Sequence, residues 1–444
     1  APLRESYQVL NRWKYKGERL RAQFGVQAYQ ETLQAGQTSF EKSQDINTLN
    51  AYGVGNTDRQ LTFFAKSGLL YPSYEGRSLA LQVLGSWYEH DGFYGLRNYV
   101  GEQYHGSAKF IWQESIGADN RQKLTSGLSY HYDQYEEAFQ DSGFSRMESV
   151  PGVYSEYTFD DHAKSGFTVV AGLRGDLHNL YGFQASPRLH LKYKLREGTA
   201  LRLSGGRGFR APNAIIDNLN TLVSSRVLRT EEFDAEVAWN TGASLVHDFH
   251  LGTKGGFLSV DYFYTWFENQ LVVDREAFGV VRFYNLDGNS FSHSLQVEGG
   301  LEPFEGFDIK AAYKWYRVRT DFRGTMKDQP LIPSHRALLN ASYSTDGRRW
   351  SFDATLQWFG TSRLPQTEVG GVSTESPDYF NVLCQVTKRF RRLELYAGAE
   401  NLLDFRQTDP IIGGDDPFGP GFDASLVWGP VQGRVIYSGL RFKI

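Results

Sequence analysis

The stretch Trp350-Ser351-Phe352-Asp353-Ala354-Thr355-Leu356-Gln357-Trp358 decides the fold. Its even positions are all apolar, and its odd positions are Ser, Asp, Thr and Gln. A period of two is that of an extended strand, whose successive side chains point to opposite faces. The apolar face carries Trp at both ends. Strand steps of ~3.3 Å, tilted by about 45°, carry such a segment up roughly 19 Å, close to the height of a lipid-facing band. Indole rings favour the boundary between hydrocarbon and water, because the body is apolar and the N–H needs a partner. The segment reads as a strand crossing a membrane, with a girdle residue at each interface.

The same alternation recurs along the chain. Leu189, Leu191, Tyr193 and Leu195 alternate with Arg188, His190, Lys192 and Lys194. Leu258, Val260, Tyr262, Tyr264 and Trp266 share a face, as do Leu124, Leu128, Tyr130 and Tyr132. The single cysteine, Cys384, falls on an apolar face with Phe380, Val382 and Val386 and reads as a small lipid-facing side chain. The composition agrees. Aromatic residues make up 15% of 444, against only 2 Met. No stretch approaches the ~18 apolar residues of a membrane helix. A mean hydropathy of -0.46 is compatible with a transmembrane barrel, because lipid-facing and lumen-facing residues average out. A net charge of -4 gives no reason to expect a nucleic-acid partner, and one Cys excludes an internal disulfide.

Connections alternate in length. Short ones include Lys16-Gly17, Arg196-Glu197-Gly198, Glu305-Gly306, Asp346-Gly347 and Arg391-Arg392; long ones fall at about 34–57, 139–147, 213–231, 273–290, 323–334, 366–377 and 406–431. Outer-membrane barrels have short periplasmic turns and long outer loops. The predicted fold is all-β, a transmembrane antiparallel β-barrel with about 19 strands in residues 1–444. The last strand ends in the periplasm, so the first runs inward from outside. Single-chain barrels have even strand numbers, and three further strands at the front would make 22.

Two stretches resemble a known family. Ser186-Pro187-Arg188-Leu189 leading to Gly206-Arg207-Gly208-Phe209-Arg210-Ala211-Pro212-Asn213 is similar to the mid-barrel signature of TonB-dependent outer-membrane receptors of the Bacteroidetes type, and Glu400-Asn401-Leu402-Leu403-Asp404 is similar to an element near the end of those barrels. The final residues, including Ser438, Gly439, Phe442 and Ile444, resemble the C-terminal signal read by the barrel-assembly machinery. The resemblance implies localisation in the bacterial outer membrane among its lipids and import of a scarce solute, namely a ferric siderophore, cobalamin, another metal chelate or an oligosaccharide. It also implies energy from the TonB complex, acting through an N-terminal segment and plug domain that precede the strands read here. A passive porin is the alternative, and a secreted all-β module leaves the Trp-capped apolar faces unexplained.

No hydrolytic constellation stands out, so no catalytic residue, enzyme activity or cofactor is expected. Gly205-Gly206-Arg207-Gly208 lacks the following Lys and hydroxyl of a phosphate loop. Three neighbouring strands bring His90, His105, His131, Asp133 and Glu137 to one polar face, and a turn centred near Ala118 sets His105 level with His131. Imidazole and carboxylate together suit a transition metal or its chelate; equally, barrel lumens are polar throughout, and a one-residue slip scatters the group. A basic lumen row, Arg188, His190, Lys192, Lys194 and Arg202, suits either an anionic solute or acids on a plug. Asp415, Asp416 and Asp423 form a second, weaker cation candidate in a loop without EF-hand spacing.

Overall fold

The computed structural model describes residues 3–71, 74, 76–117, 119–161, 165–252, 254–365 and 373–442. The first ten strands are β1 (Leu3–Lys16), β2 (Leu20–Gly36), β3 (Gly53–Leu70), β4 (Ser78–Tyr94), β5 (Arg97–Ile116), β6 (Gln122–Phe139), β7 (Ser142–Asp161), β8 (Phe167–His178), β9 (Gly182–Arg196) and β10 (Thr199–Arg210). The wall continues through Glu236–Leu251, Lys254–Asn269, Ser290–Phe304, Phe307–Phe322, His335–Ser344, Trp350–Phe359, Tyr379–Arg389, Leu393–Glu400 and Val435–Phe442. Each strand pairs antiparallel with the next in this series, and the short strand Thr325–Asp328 completes a 20-stranded sheet. Among the described residues no ladder joins β1 to Val435–Phe442, so the sheet is open.

Alternation in the sequence becomes two chemically distinct faces. Phe352 lies opposite Val386, Ala354 opposite Cys384, Leu356 opposite Val382 and Trp358 opposite Phe380. The apolar side is the exposed one: Phe352 is 43% exposed, whereas Ser351 on the polar side is 7% exposed. The Trp at each end has a polar partner. Trp358 Nε1 donates to Asp378 at 3.0 Å, and Lys388 Nζ stands 4.0 Å above the Trp350 ring. In the last strand Leu440 and Phe442 sit opposite Leu395 and Leu393 and are largely exposed. Ser438 and Gly439 belong to the same strand, whereas Ile444 lies outside the described residues.

One expected loop is absent. Residues 139–147 form a tight hairpin, with Phe139 opposite Ser142 and Gln140 at φ 53°. The apolar rhythm weakens there because the strands carry Glu, Gln, Ser and Arg, yet the backbone ladder continues. Strands β6 and β7 are therefore long, at 18 and 20 residues.

The long connections fold into a cap. Leu271–Asp274, Val280–Asn285 and Val227–Thr230 form a separate three-stranded sheet. Most of the molecule's buried apolar side chains lie in and around this cap, including Leu222, Val281 and Phe283, each at 0% exposure. Tyr94, Tyr99, Ile215 and Leu222 make one cluster, and Ala214, Leu271, Val281 and Phe283 another. The loop between β2 and β3 meets the loop before the last strand, where Tyr52 lies 4.7 Å from the Phe422 ring; burial pushes the Tyr52 phenol up to about 12. Loops from near the two edges of the sheet thus touch, so the wall is curled at this end.

Candidate functional site

Strands β5 and β6 place His105 directly opposite Asp133, with Gln103 opposite Tyr135 and Ser107 opposite His131. Directly opposed residues share a face, and His131 joins them because it is two residues from Asp133. His105 Nδ1 lies 3.0 Å from Asp133 Oδ1, His131 Nε2 contacts the other oxygen, and the rings meet edge-on at 4.6 Å. The Gln103 amide donates to Asp133 Oδ1 and to the Tyr135 hydroxyl, each at 2.7 Å. The expected register differs by two residues. Ile116 pairs with Gln122, which centres the turn on position 119, and moving a turn centre by one residue moves every cross-strand partner by two. That shift preserves the face, so the imidazoles still converge.

His90 and Glu137 do not join them. Both lie level with Gly101, four residues along β5 from His105 and roughly 13 Å away at strand rise. His90 Nδ1 pairs with Asp58 at 2.7 Å and its Nε2 with the Tyr94 hydroxyl at 3.0 Å. Glu137 accepts the Tyr99 hydroxyl at 2.5 Å. Gly101 leaves room for that tyrosine, since a Cβ there would stand 2.7 Å from its oxygen.

A polar cavity of about 370 Å³ opens beside the cluster, lined by His131, Asp133, Tyr135, Glu148, Asp176 and His178 among others. Glu148 lies opposite Asp133 and is held by Arg146 Nε at 2.8 Å and His178 Nε2 at 3.3 Å. Asp176 is matched by Arg174 at 2.6 Å. Asp133, 3% exposed, has only imidazoles as ion-pair partners among the described residues. Sequence reasoning missed Glu148, Asp176 and His178. The supposed loop at 139–147 hid the start of β7, and the alternation of Ser-Arg-Met-Glu-Ser-Val was the signal that could have found it.

The basic row keeps its shared face. Lys192 lies opposite Arg202, and both line a cavity of about 340 Å³ with His190 and Asp261. Like charges directly opposed are unfavourable, so this patch suits an anionic partner. Arg188 is drawn off to Glu156, and Lys194 is exposed near the short-turn end. The signature glycines line the adjoining cavity of about 490 Å³ with Arg207 and Arg210. Arg207 is tied to Glu268 at 3.1 Å and Arg210 to Glu236.

The acidic loop is built differently from its expectation. Asp423 is buried, and its side chain accepts Arg226 Nε at 2.9 Å and the Ser425 N–H and hydroxyl. The Asp416 backbone shapes the turn to Gly419. Asp415, Asp416 and Asp423 do not converge as ligands; among the described residues only His105, His131 and Asp133 bring three such atoms within 4.8 Å of one another. Burial lowers the neighbouring Arg275 guanidinium from its ordinary value, with Asp423 opposing.

A family model described as TonB dependent receptor-like, beta-barrel, matches residues 3–402. No curated protein sequence matches the chain. Solved structures with the same fold include a mutant of the ferric enterobactin receptor of Pseudomonas aeruginosa, at TM-score 0.61 and 14% identity, covering 98% of this chain and 79% of that one. The siderophore receptor PirA of Acinetobacter baumannii aligns at TM-score 0.66 and 13% identity, over 99% and 71% of the two chains. The copper transporter OprC aligns at 0.65 and 11%, over 100% and 80%.

Proposed function

Because the chain belongs to the TonB-dependent receptor β-barrel family, and so to the bacterial outer membrane, we propose that it is the wall of a receptor importing a metal-bearing solute, a ferric siderophore, cobalamin or another chelate, with energy from TonB. The family is one of transport receptors that interact with TonB, not of enzymes. The observation that carries the reading is the cap. The loop between β10 and the strand Glu236–Leu251 reaches Arg97 on one side, where the guanidinium donates to the Arg226 carbonyl at 2.8 Å, and Asp423 on the other. A passive pore profits from an open mouth, whereas a roof with its own buried core supports capture and gated release. In this reading the wall is one part of a 22-stranded barrel of the Bacteroidetes type and works with a plug domain whose displacement by TonB opens the lumen. The barrel-assembly machinery reads the last strand, and Arg188, His190, Lys192, Lys194 and Arg202 face plug acids or an anionic solute.

The test is uptake of radiolabelled ferric siderophore or cobalamin by cells carrying the full-length receptor, with and without TonB. Uptake that needs TonB is expected. Equal uptake in both strains would return the molecule to the porin class.

A further inference from the structure

We propose that His105, His131 and Asp133 form a binding site for a divalent transition-metal ion of the copper and zinc class, set in the polar face of the wall. The site stands whether the imported solute is a chelate or something else, because it rests on the wall alone.

Three observations lead to it. Two imidazoles and a carboxylate from adjacent strands bring their ligand atoms within 4.8 Å of one another. An ion with bonds of ~2.0–2.1 Å needs such atoms roughly 3.3 Å apart, a distance that side-chain rotation supplies. The donors are a nitrogen-rich set with one oxygen, which suits Cu²⁺ and Zn²⁺ far better than Mg²⁺ or Ca²⁺.

The second observation is charge. A buried carboxylate is costly unless it is paired. Glu148 and Asp176 in the same cavity each have an arginine, while the ion-pair partners of Asp133 among the described residues are imidazoles. A divalent cation between the three would neutralise the carboxylate and accept both nitrogens.

The third is the surrounding frame. Gln103 holds Asp133 Oδ1 at 2.7 Å, the kind of outer partner that fixes a ligand's orientation. His131 is 44% exposed at its side chain and borders the cavity. Three protein ligands on one side leave a coordination position facing that cavity, as in sites where a water or solute atom occupies the fourth place. An ion held this way is exchangeable.

The experiment titrates the purified full-length receptor in detergent with CuSO₄ and ZnCl₂ by calorimetry, and records the Cu²⁺ electron paramagnetic resonance spectrum at one equivalent. One ion per chain is expected, with hyperfine structure from two imidazole nitrogens. His131→Ala should lose one nitrogen and weaken binding by at least the about 10–100-fold that follows loss of even an outer-shell partner; His250→Ala, on an exposed histidine elsewhere in the wall, should change nothing. A variant-free arm measures modification of His131 by diethyl pyrocarbonate, which Zn²⁺ should slow. Equal affinity in both variants, a spectrum without imidazole nitrogen, or unslowed modification would each overturn the site. Uptake in cells is a separate readout, so loss of the metal site and loss of the transport reading are distinguishable.

Discussion

In the strand Trp350–Phe359 the apolar side chains are the exposed ones, and the serine behind them is nearly buried. In the cap, Val281 and Phe283 have no exposure, and the charged side chains around them are tied in pairs. One chain thus solves two solvent problems. The wall turns its apolar face to hydrocarbon and satisfies its backbone through strand ladders, as any lipid-embedded sheet must. The cap sits in water and buries an inner core, completed by Tyr94 and Tyr99 at the ends of β4 and β5, together with buried ion pairs. Its stability should therefore respond to substitution like that of a soluble domain, and the wall's should not.

The largest expected effect is in the cap. Asp423→Ala leaves Arg226 buried without its carboxylate at 2.9 Å, a change that costs about 3–5 kcal/mol. Hydrogen exchange should rise across 211–235, 270–289 and 401–434, while the wall's heat-resistant migration on gels is kept. If the wall unfolds with the cap, the two are one cooperative unit and the comparison fails. Next comes the wall. Leu356→Arg, near the middle of its strand on the lipid face, should cost about 2–4 kcal/mol, measured by urea unfolding in lipid vesicles. A stability unchanged within error would mean that this face is not in hydrocarbon.

The pH response should separate the regions further. Burial alone would raise the Glu276 carboxyl, but Arg363 and Lys327, each 2.7 Å away, outweigh it and hold the group below the ordinary carboxylate range. A depressed native value means stability that is present above the unfolded value of about 4.3 and is lost as pH falls through the native one. The cap should loosen below about pH 4 while the wall holds, and Glu276→Gln should flatten that dependence in hydrogen exchange. The smallest change is Asp353→Asn on the wall's polar face, expected within about 0.5 kcal/mol. A larger loss would give that side chain a structural partner in the lumen.

Some of the candidate site was legible because side-chain face is a parity. Placing His105, His131 and Asp133 together needed only the correct odd–even assignment and a turn within a residue or so of its true centre. His90 failed on distance along the strand, which the turn at 94–97 sets and which no alternation encodes; Glu137 stands four residues along β6 from Asp133, a separation of roughly 13 Å that strand rise alone fixes. Glu148 was hidden because a polar strand start looks like a loop when only hydrophobic rhythm is read; Asp176 and His178 alternate with Leu173 and Leu177 on β8, and what sequence lacked there was their register against β7. Asp423 looked like a cation ligand because three acidic residues near glycines are visible in sequence; its partner Arg226 lies 197 residues away.

The sequence by itself determined the wall: alternation is a local property, and a strand's two faces follow from backbone geometry whatever its neighbours do. Strand order followed as well, because each strand pairs with the next in the meander. Only the tertiary structure decided the cap. There the side chains that bury one another come from loops far apart in the chain, so hydrophobicity is visible but its partners are not. The same holds for the charge balance on the wall's polar face, where among the described residues Asp133 pairs with imidazoles and the nearby arginines pair with Glu148 and Asp176.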